Sequence, residues 1–181
     1  MLKYVALGVL ALVVVLALVV ALQPSAFVIE RSATIQAPAS ALYPHIVSPR
    51  AMNAWSPFAQ GDPQMTIVYS GPESGVGAKS AWESARMGAG SMTVTEAAQD
   101  TEIGLRLDFL RPMQATNSAR FTLEPAGSGT TRVTWRMEGH NGFLGKAFAL
   151  AMNMDEVVGG EFEKGLAALK TLAEAEARPG S

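Results

Sequence analysis

Eighteen consecutive residues, Val5 to Leu22, are Leu, Val, Ala or Gly, with no polar side chain among them. A run that apolar has no wet face, so it cannot be an ordinary amphipathic surface helix. At a rise of ~1.5 Å per residue it spans about 27 Å, close to the ~30 Å hydrocarbon core of a bilayer. Tyr4 suits the interface, and Gln23-Pro24 ends the helix because the residue before a proline is pushed out of the α region. A cleaved signal peptide is the competing reading, and Lys3 would fit its charged start. The run is longer than the usual apolar region of about 7–15 residues, and neither Ala21-Leu22-Gln23 nor Pro24-Ser25-Ala26 has small residues at both outer positions. The expectation is therefore an anchor over residues 1–23 and one domain over 24–181. Lys3 precedes the run, and only Arg31, beside Glu30, lies close after it. The positive-inside rule then puts the N-terminus in the cytoplasm and the domain on the non-cytoplasmic side, periplasmic or extracellular.

The charge that remains is sparse. Lys3 is the only charged residue up to Gln23, so 13 Lys and Arg face 16 Asp and Glu in the rest. That is mildly acidic with no basic stripe, which argues against nucleic acid as a partner. There is no cysteine, which removes disulfides, thiol nucleophiles and cysteine-based zinc sites together.

From Phe27 the patterning changes to short alternating segments separated by turn residues. Phe27 to Gln36 reads as a strand ended by Ala37-Pro38. Ala39 to Val47 reads as a short helix, with a kink or a late start expected at Pro44. Pro49 to Trp55 adds another helical turn, and Ser56 to Pro63 reads as a loop. Six strands follow: Gln64–Ser70, Gly77–Arg86, Ser91–Ala97, Glu102–Leu110, Gln114–Glu124 and Thr131–Glu138. Gly88-Ala89-Gly90 and Pro125 to Gly129 are expected as turns between them. The alternation of Ile103, Leu105, Leu107 and Phe109 against Arg106 and Asp108 is that of an antiparallel strand with one apolar and one wet face. Val133, Trp135 and Met137 alternate in the same way. The C-terminal region supplies the cover for the apolar face: a helix over Phe143–Met152 and a longer one over about Asp155–Ala175. In the longer helix Val158, Phe162, Leu166, Leu169 and Ala173 recur at helical spacing. A frayed tail is expected from about residue 176. Gly159-Gly160 reads as close packing or a local break in preference to a hinge.

Strand, short helices, six-strand meander and long terminal helix, with particular residues in place, form a recognisable set. These residues are Ile29-Glu30-Arg31-Ser32, Ala37-Pro38, Trp55-Ser56-Pro57-Phe58, Tyr69-Ser70-Gly71-Pro72, Gly75-Val76-Gly77-Ala78, Trp82, Gly129-Thr130, Val133-Thr134-Trp135, Met154-Asp155 through Gly160, Phe162-Glu163, Gly165-Leu166 and Leu169-Lys170. The chain resembles the START-like, helix-grip superfamily (SRPBCC), in its polyketide cyclase/dehydrase and lipid-transport branch. The resemblance covers about Phe27 to Ala175. It implies an α+β fold in which a curved antiparallel sheet of about seven strands wraps around the long C-terminal helix, with a cavity between them. Pro44 departs from the family's usual unbroken first helix.

No residue pattern demands catalysis. His45 and His140 are the only histidines and have no paired-ligand spacing, so no metal and no cofactor is expected. Asp155-Glu156 are neighbours on a helix and do not face each other, which favours a helix-terminus role over an acid/base pair. Gly75-x-Gly77 and Gly88-x-Gly90 open no helix and cradle no phosphate. The ligand-binding candidates are instead the large soft side chains between sheet and helix: Trp82, Met92, Phe109, Trp135, Met137, Val158, Phe162 and Leu166. Three functions fit: a tethered binder of a lipid or other hydrophobic small molecule, a cyclase or dehydratase using the same cavity, or a protein-interaction module with a filled core. The volume and lining of the space under the last helix separate them.

Overall fold

In the computed structural model, which describes residues 2–177, helix α1 runs from Leu2 to Leu22 and stops just ahead of Pro24. Its stretch Lys3–Leu22 is long and apolar enough to cross a bilayer, a length and composition that a spanning anchor and a signal sequence share. Residues 178–181 of the expected tail lie outside the described residues.

The elements after α1 follow the expected order. Strand β1 (Ala26–Ile35) leads to α2 (Ala39–Val47), α3 (Pro49–Trp55) and the single turn α4 (Pro57–Gln60). Then come β2 (Thr66–Ser70), β3 (Lys79–Ser84), β4 (Gly88–Ala98), β5 (Glu102–Arg111), β6 (Ala115–Gly127) and β7 (Thr130–His140). Two helices close the chain, α5 (Phe143–Ala151) and α6 (Met154–Glu176). The seven strands form one antiparallel sheet in the order β1-β7-β6-β5-β4-β3-β2, so β2 to β7 are a meander and β1 returns beside β7. Register shifts at Ala89/Gly90, Val94/Glu96 and Pro125/Gly127 mark bulges, which bend the sheet around α6. The fold is the helix-grip arrangement.

Four local expectations are corrected. Gly88-Ala89-Gly90 is not a turn but the first part of β4. Gly90 pairs with Trp82, whose ring lies where a Cβ on Gly90 would sit, so glycine serves close approach within the sheet. Strand β6 continues through Pro125 to Gly127, where the sequence reads as a turn, with Pro125 opposite Thr131 at a register shift. The segment Ser56–Pro63 is not all loop, because Pro57 starts α4, a position where a missing N–H costs nothing. Helix α2 starts at Ala39 and runs through Pro44 with no late start. Pro44 and Ser40, whose carbonyl loses a helical donor, are both exposed, so that oxygen is available to water.

The core lies between the sheet's inner face and α6, with α2 and α3 closing one side. Ile103, Phe121, Val133, Phe162 and Leu169 are all at most 1% exposed. Helix α5 contributes less cover than expected: none of its residues is buried. Edge strand β1 carries side-chain hydrogen bonds on its main chain: Lys170 Nζ donates to the Thr34 carbonyl at 2.9 Å and Arg31 Nη1 to the Glu30 carbonyl at 2.8 Å. Near the opposite edge, buried Asp62 accepts from Ser84 Oγ at 2.6 Å and from the Gln64 N–H at 3.0 Å, and the first of these bonds does most to hold its carboxyl below its ordinary range.

Candidate ligand cavity

The inner face of the sheet is not filled along its whole length. In β7, β6 and β5 the inward positions form an apolar floor, because side chains two apart share a face. At one end of this floor α6 is seated directly: Trp135 and Phe162 stack with ring centroids 4.1 Å apart and planes within 5°. Phe121 packs on Trp135 at 4.8 Å, and Phe58 and Trp55 meet that ring edge-on at 6.1 and 5.8 Å. Past this aromatic cluster, toward its N-terminus, α6 is tied to β1 by Arg31, while Met154, Asp155 and Val158 border open space over the inner face of the sheet. A cavity of about 560 Å³ remains, within the ~300–1,000 Å³ of small-molecule sites.

Seven of the eight expected ligand-binding residues line it: Trp82, Met92, Phe109, Trp135, Met137, Val158 and Phe162. Leu166 does not. It lies one turn beyond Phe162, only 2% exposed, in the solid part of the core. Helix α3 and the turn after it add Met52 and Phe58, and β6 adds Ala115 and Ala119. The titratable side chains in the wall are Arg111, His140 and Asp155, all exposed residues of the sheet's α1 end or the start of α6. His45 is elsewhere, its Nε2 2.9 Å from Glu176 Oε2. Among the described residues no group of three His, Asp or Glu is placed to hold a metal.

Two polar residues escaped the sequence reading, and both occupy apolar register positions. Arg31 shares the inward face of β1 with Ile29, Ala33 and Ile35. Its guanidinium reaches α6, donating to Glu163 Oε1 at 2.8 Å, to Asp155 Oδ2 at 2.9 Å and to the Asp155 carbonyl at 3.0 Å. Gly159 lets it lie there, since a Cβ at that position would fall on the guanidinium. The doublet Gly159-Gly160 sits inside an unbroken helix, and nothing packs where a Cβ on Gly160 would be. Asn153 caps α6, its side chain accepting from the Glu156 N–H, and Asp155 and Glu156 fill the first turn. Asn117 is the second residue, on the inward face of β6 between Ala115 and Ala119 and in the cavity wall. Its Oδ1 is the one buried side-chain polar atom among the described residues that has no hydrogen-bond partner.

Hydrogen bonds from Arg31 hold the Asp155 carboxyl below the usual carboxylate range, against a smaller effect of burial. The Arg31 guanidinium is raised correspondingly, first by Asp155 and then by Glu163. A depressed carboxylate stabilises the fold above its unfolded pKa of about 3.9 and loses that contribution as pH falls through the folded value. Melting temperature should therefore drop on acidification below about pH 4, and Asp155→Asn should lower it at pH 7 and flatten the acid drop. Melting curves of both proteins from pH 7 to pH 2 test this; an Asp155→Asn profile parallel to and level with the parent would refute it.

With this geometry in place, comparison with known proteins is decisive for kinship. The family described as polyketide cyclase / dehydrase and lipid transport matches residues 26–174. The chain belongs to this family. Solved structures agree on the fold. Protein CV1439 from Chromobacterium violaceum aligns with a TM-score of 0.60 at 18% identity, covering 81% of this chain and 96% of that one. Protein Mll3558 from Rhizobium loti aligns at 0.57 and 19% identity, covering 81% and 97%. Ara h 8.0201 aligns at 0.56 and 14% identity, covering 83% and 99%. At these identities the likeness speaks for fold alone. No curated protein matches the sequence. Membership of the polyketide cyclase / dehydrase and lipid transport family makes residues 26–174 a hydrophobic-ligand-binding domain.

Proposed function

We propose that the chain is a membrane-tethered carrier or receptor for a lipid or other hydrophobic small molecule, held between the sheet and the first turns of α6. Residues 1–23 serve as the anchor and 24–181 as the binding domain on the non-cytoplasmic side. Trp82, Met92, Phe109, Trp135, Met137, Val158 and Phe162 contact the ligand, and Leu166 holds the helix behind them. The observation that carries this reading is a cavity of about 560 Å³ with an overwhelmingly apolar wall. Occupancy would remove that wall from water at ~25 cal/mol per Å² of apolar surface, offset in part by the cost of binding.

Of the titratable groups in the wall, Asp155 is not suited to turnover by acid/base chemistry near neutral pH. General acid/base catalysis works best with a group tuned toward neutral pH inside the site. Asp155 is tuned the other way, held as a carboxylate by Arg31.

Native mass spectrometry of the full chain released from its own membrane is expected to reveal a co-purifying apolar molecule. Returned at 100 times its dissociation constant to the protein in nanodiscs, that molecule should stabilise the fold by ~2.7 kcal/mol. For a chain of this length that is a rise in melting temperature of roughly 5–11 °C. A protein that carries no apolar compound, and whose melting no lipid extract moves, would sink the proposal.

A further inference from the structure

The two ends of the sheet differ in character. One end gathers the start of β1, the end of β7 and the turns β3–β4 and β5–β6, as the pairings Ala26 with His140, Ser84 with Gly88 and Phe109 with Ala115 require. Helix α1 enters the domain here and α5 leaves from here. Beyond α1, every exposed large hydrophobic side chain except Val28, Val68 and Val76 belongs to this end or to the helices that start from it. Helix α5 carries four of them, Phe143, Leu144, Phe148 and Leu150. Phe143, Leu144 and Phe148 are each more than half exposed on one stripe of the helix, and its only charge is Lys146. The turns add Met87 and Met113.

Helix α5 is tied to the end of α1. Lys146 Nζ donates to the Ala21 carbonyl at 3.1 Å, and the Asn141 N–H to the Ser25 carbonyl at 2.7 Å. If α1 spans a bilayer, its last turn is at the membrane surface, and these bonds hold α5 at the same level. The cavity opens at that level too: Met87, Met113, Ala149 and Met154, exposed residues of its wall, are all here.

We infer that this end of the domain rests on the lipid bilayer, with α5 lying in the interface, so that an apolar ligand enters the cavity directly from the membrane. The inference depends on the tether proposed above. A short helix with an apolar stripe beside a spanning segment gains by burying that stripe about 5–10 Å into the headgroup and acyl boundary. Among the described residues nothing comparable exists at the opposite end, where Val76 is the exposed large hydrophobic residue.

The chain has no cysteine, so single substitutions place a spin label without ambiguity. The full chain carrying Leu12→Cys, Leu144→Cys, Phe148→Cys or Val76→Cys would be reconstituted into vesicles of phosphatidylethanolamine and phosphatidylglycerol. Collision rates with oxygen and with a water-soluble nickel complex then give the depth of each label. Labels at 144 and 148 are expected about 5–10 Å inside the boundary, the label at 12 in the hydrocarbon and the label at 76 in water. Phe148 and Leu144 are exposed, so the two positions check each other if one label perturbs α5. A membrane depth at 12 with water exposure at 144 and 148 would overturn the docking and leave the tether standing. Water exposure at 12 would overturn both. Shielding of 144 and 148 from both collision partners would mean that protein, a second copy or another chain, covers this end, and would overturn the lipid assignment.

Discussion

Phe162→Ala is expected to lower the unfolding free energy by about 3–5 kcal/mol, the range for removing a buried phenylalanine. The residue is 1% exposed and stacks on Trp135 at 4.1 Å, with Phe58 edge-on at 6.2 Å. Its loss removes the contact that seats α6 on the sheet, and an aromatic pair contributes ~0.5–1.5 kcal/mol beyond the area it buries. Urea unfolding of the protein in nanodiscs, followed by tryptophan fluorescence, measures the change. Ligand affinity should fall as well, because Phe162 is also in the cavity wall. Glu163→Ala is the contrast: its side chain is exposed, outside the cavity wall, and bonds Arg31, so ligand affinity should not move. A loss below about 1 kcal/mol for Phe162→Ala would be the cost of an ordinary surface truncation, and would mean that α6 is not held where the structure has it.

The second large effect is on binding alone. Ala119 faces inward on β6 opposite Leu105 and Met137, 5% exposed, in the cavity floor. In a filled core an added ring would cost about 1–3 kcal/mol through overpacking. Here Ala119→Phe has open volume to enter, so stability should change by much less than that. The ring would take the space of the ligand, and affinity for the co-purifying molecule should drop at least about tenfold, equivalent to ~1.4 kcal/mol. Paired melting curves and binding titrations decide it. A variant that unfolds, or that binds as tightly as its parent, would show that the ligand space lies elsewhere.

The elements themselves were legible because their periods are strong. Ala39–Val47 and Pro49–Trp55 are bounded as the prolines at 38 and 49 suggest. The stripe from Val158 to Ala173 does place α6 on the sheet. What the sequence could not carry was distance. Val158, Phe162 and Leu166 read identically as one apolar stripe, yet Val158 roofs a cavity, Phe162 stacks on an aromatic ring at its edge, and Leu166 is in solid core. Whether a helix stands off a sheet depends on the summed side-chain volumes of several strands, which no single segment reports. The strand ends misread for the same kind of reason: Gly88 to Gly90 and Pro125 have turn chemistry locally, while the ladder partners that keep them in strands are distant in sequence. Arg31 and Asn117 did leave a trace, as polar residues in the inward register of otherwise apolar strands. That is where an inward-facing charge or amide has to find a partner on another element, as Arg31 does on α6 and Asn117 does not.

The side-chain bonds along β1 have a consequence for copies of the chain held together on one surface. An open sheet has two edges, and an unpaired edge is a template for strand addition by a neighbouring molecule. Confinement to a plane raises the encounter rate of such edges. On β1 the carbonyls of Glu30 and Thr34 already accept from Arg31 and Lys170, so an incoming strand would have to displace two cations before it could form a ladder. At the other edge β2 is only five residues long, with Pro63 shortly before it and Pro72 shortly after, which leaves too short a template for stable pairing. If the chain is tethered as proposed, copies crowded on a membrane would meet no sheet edge ready for strand addition.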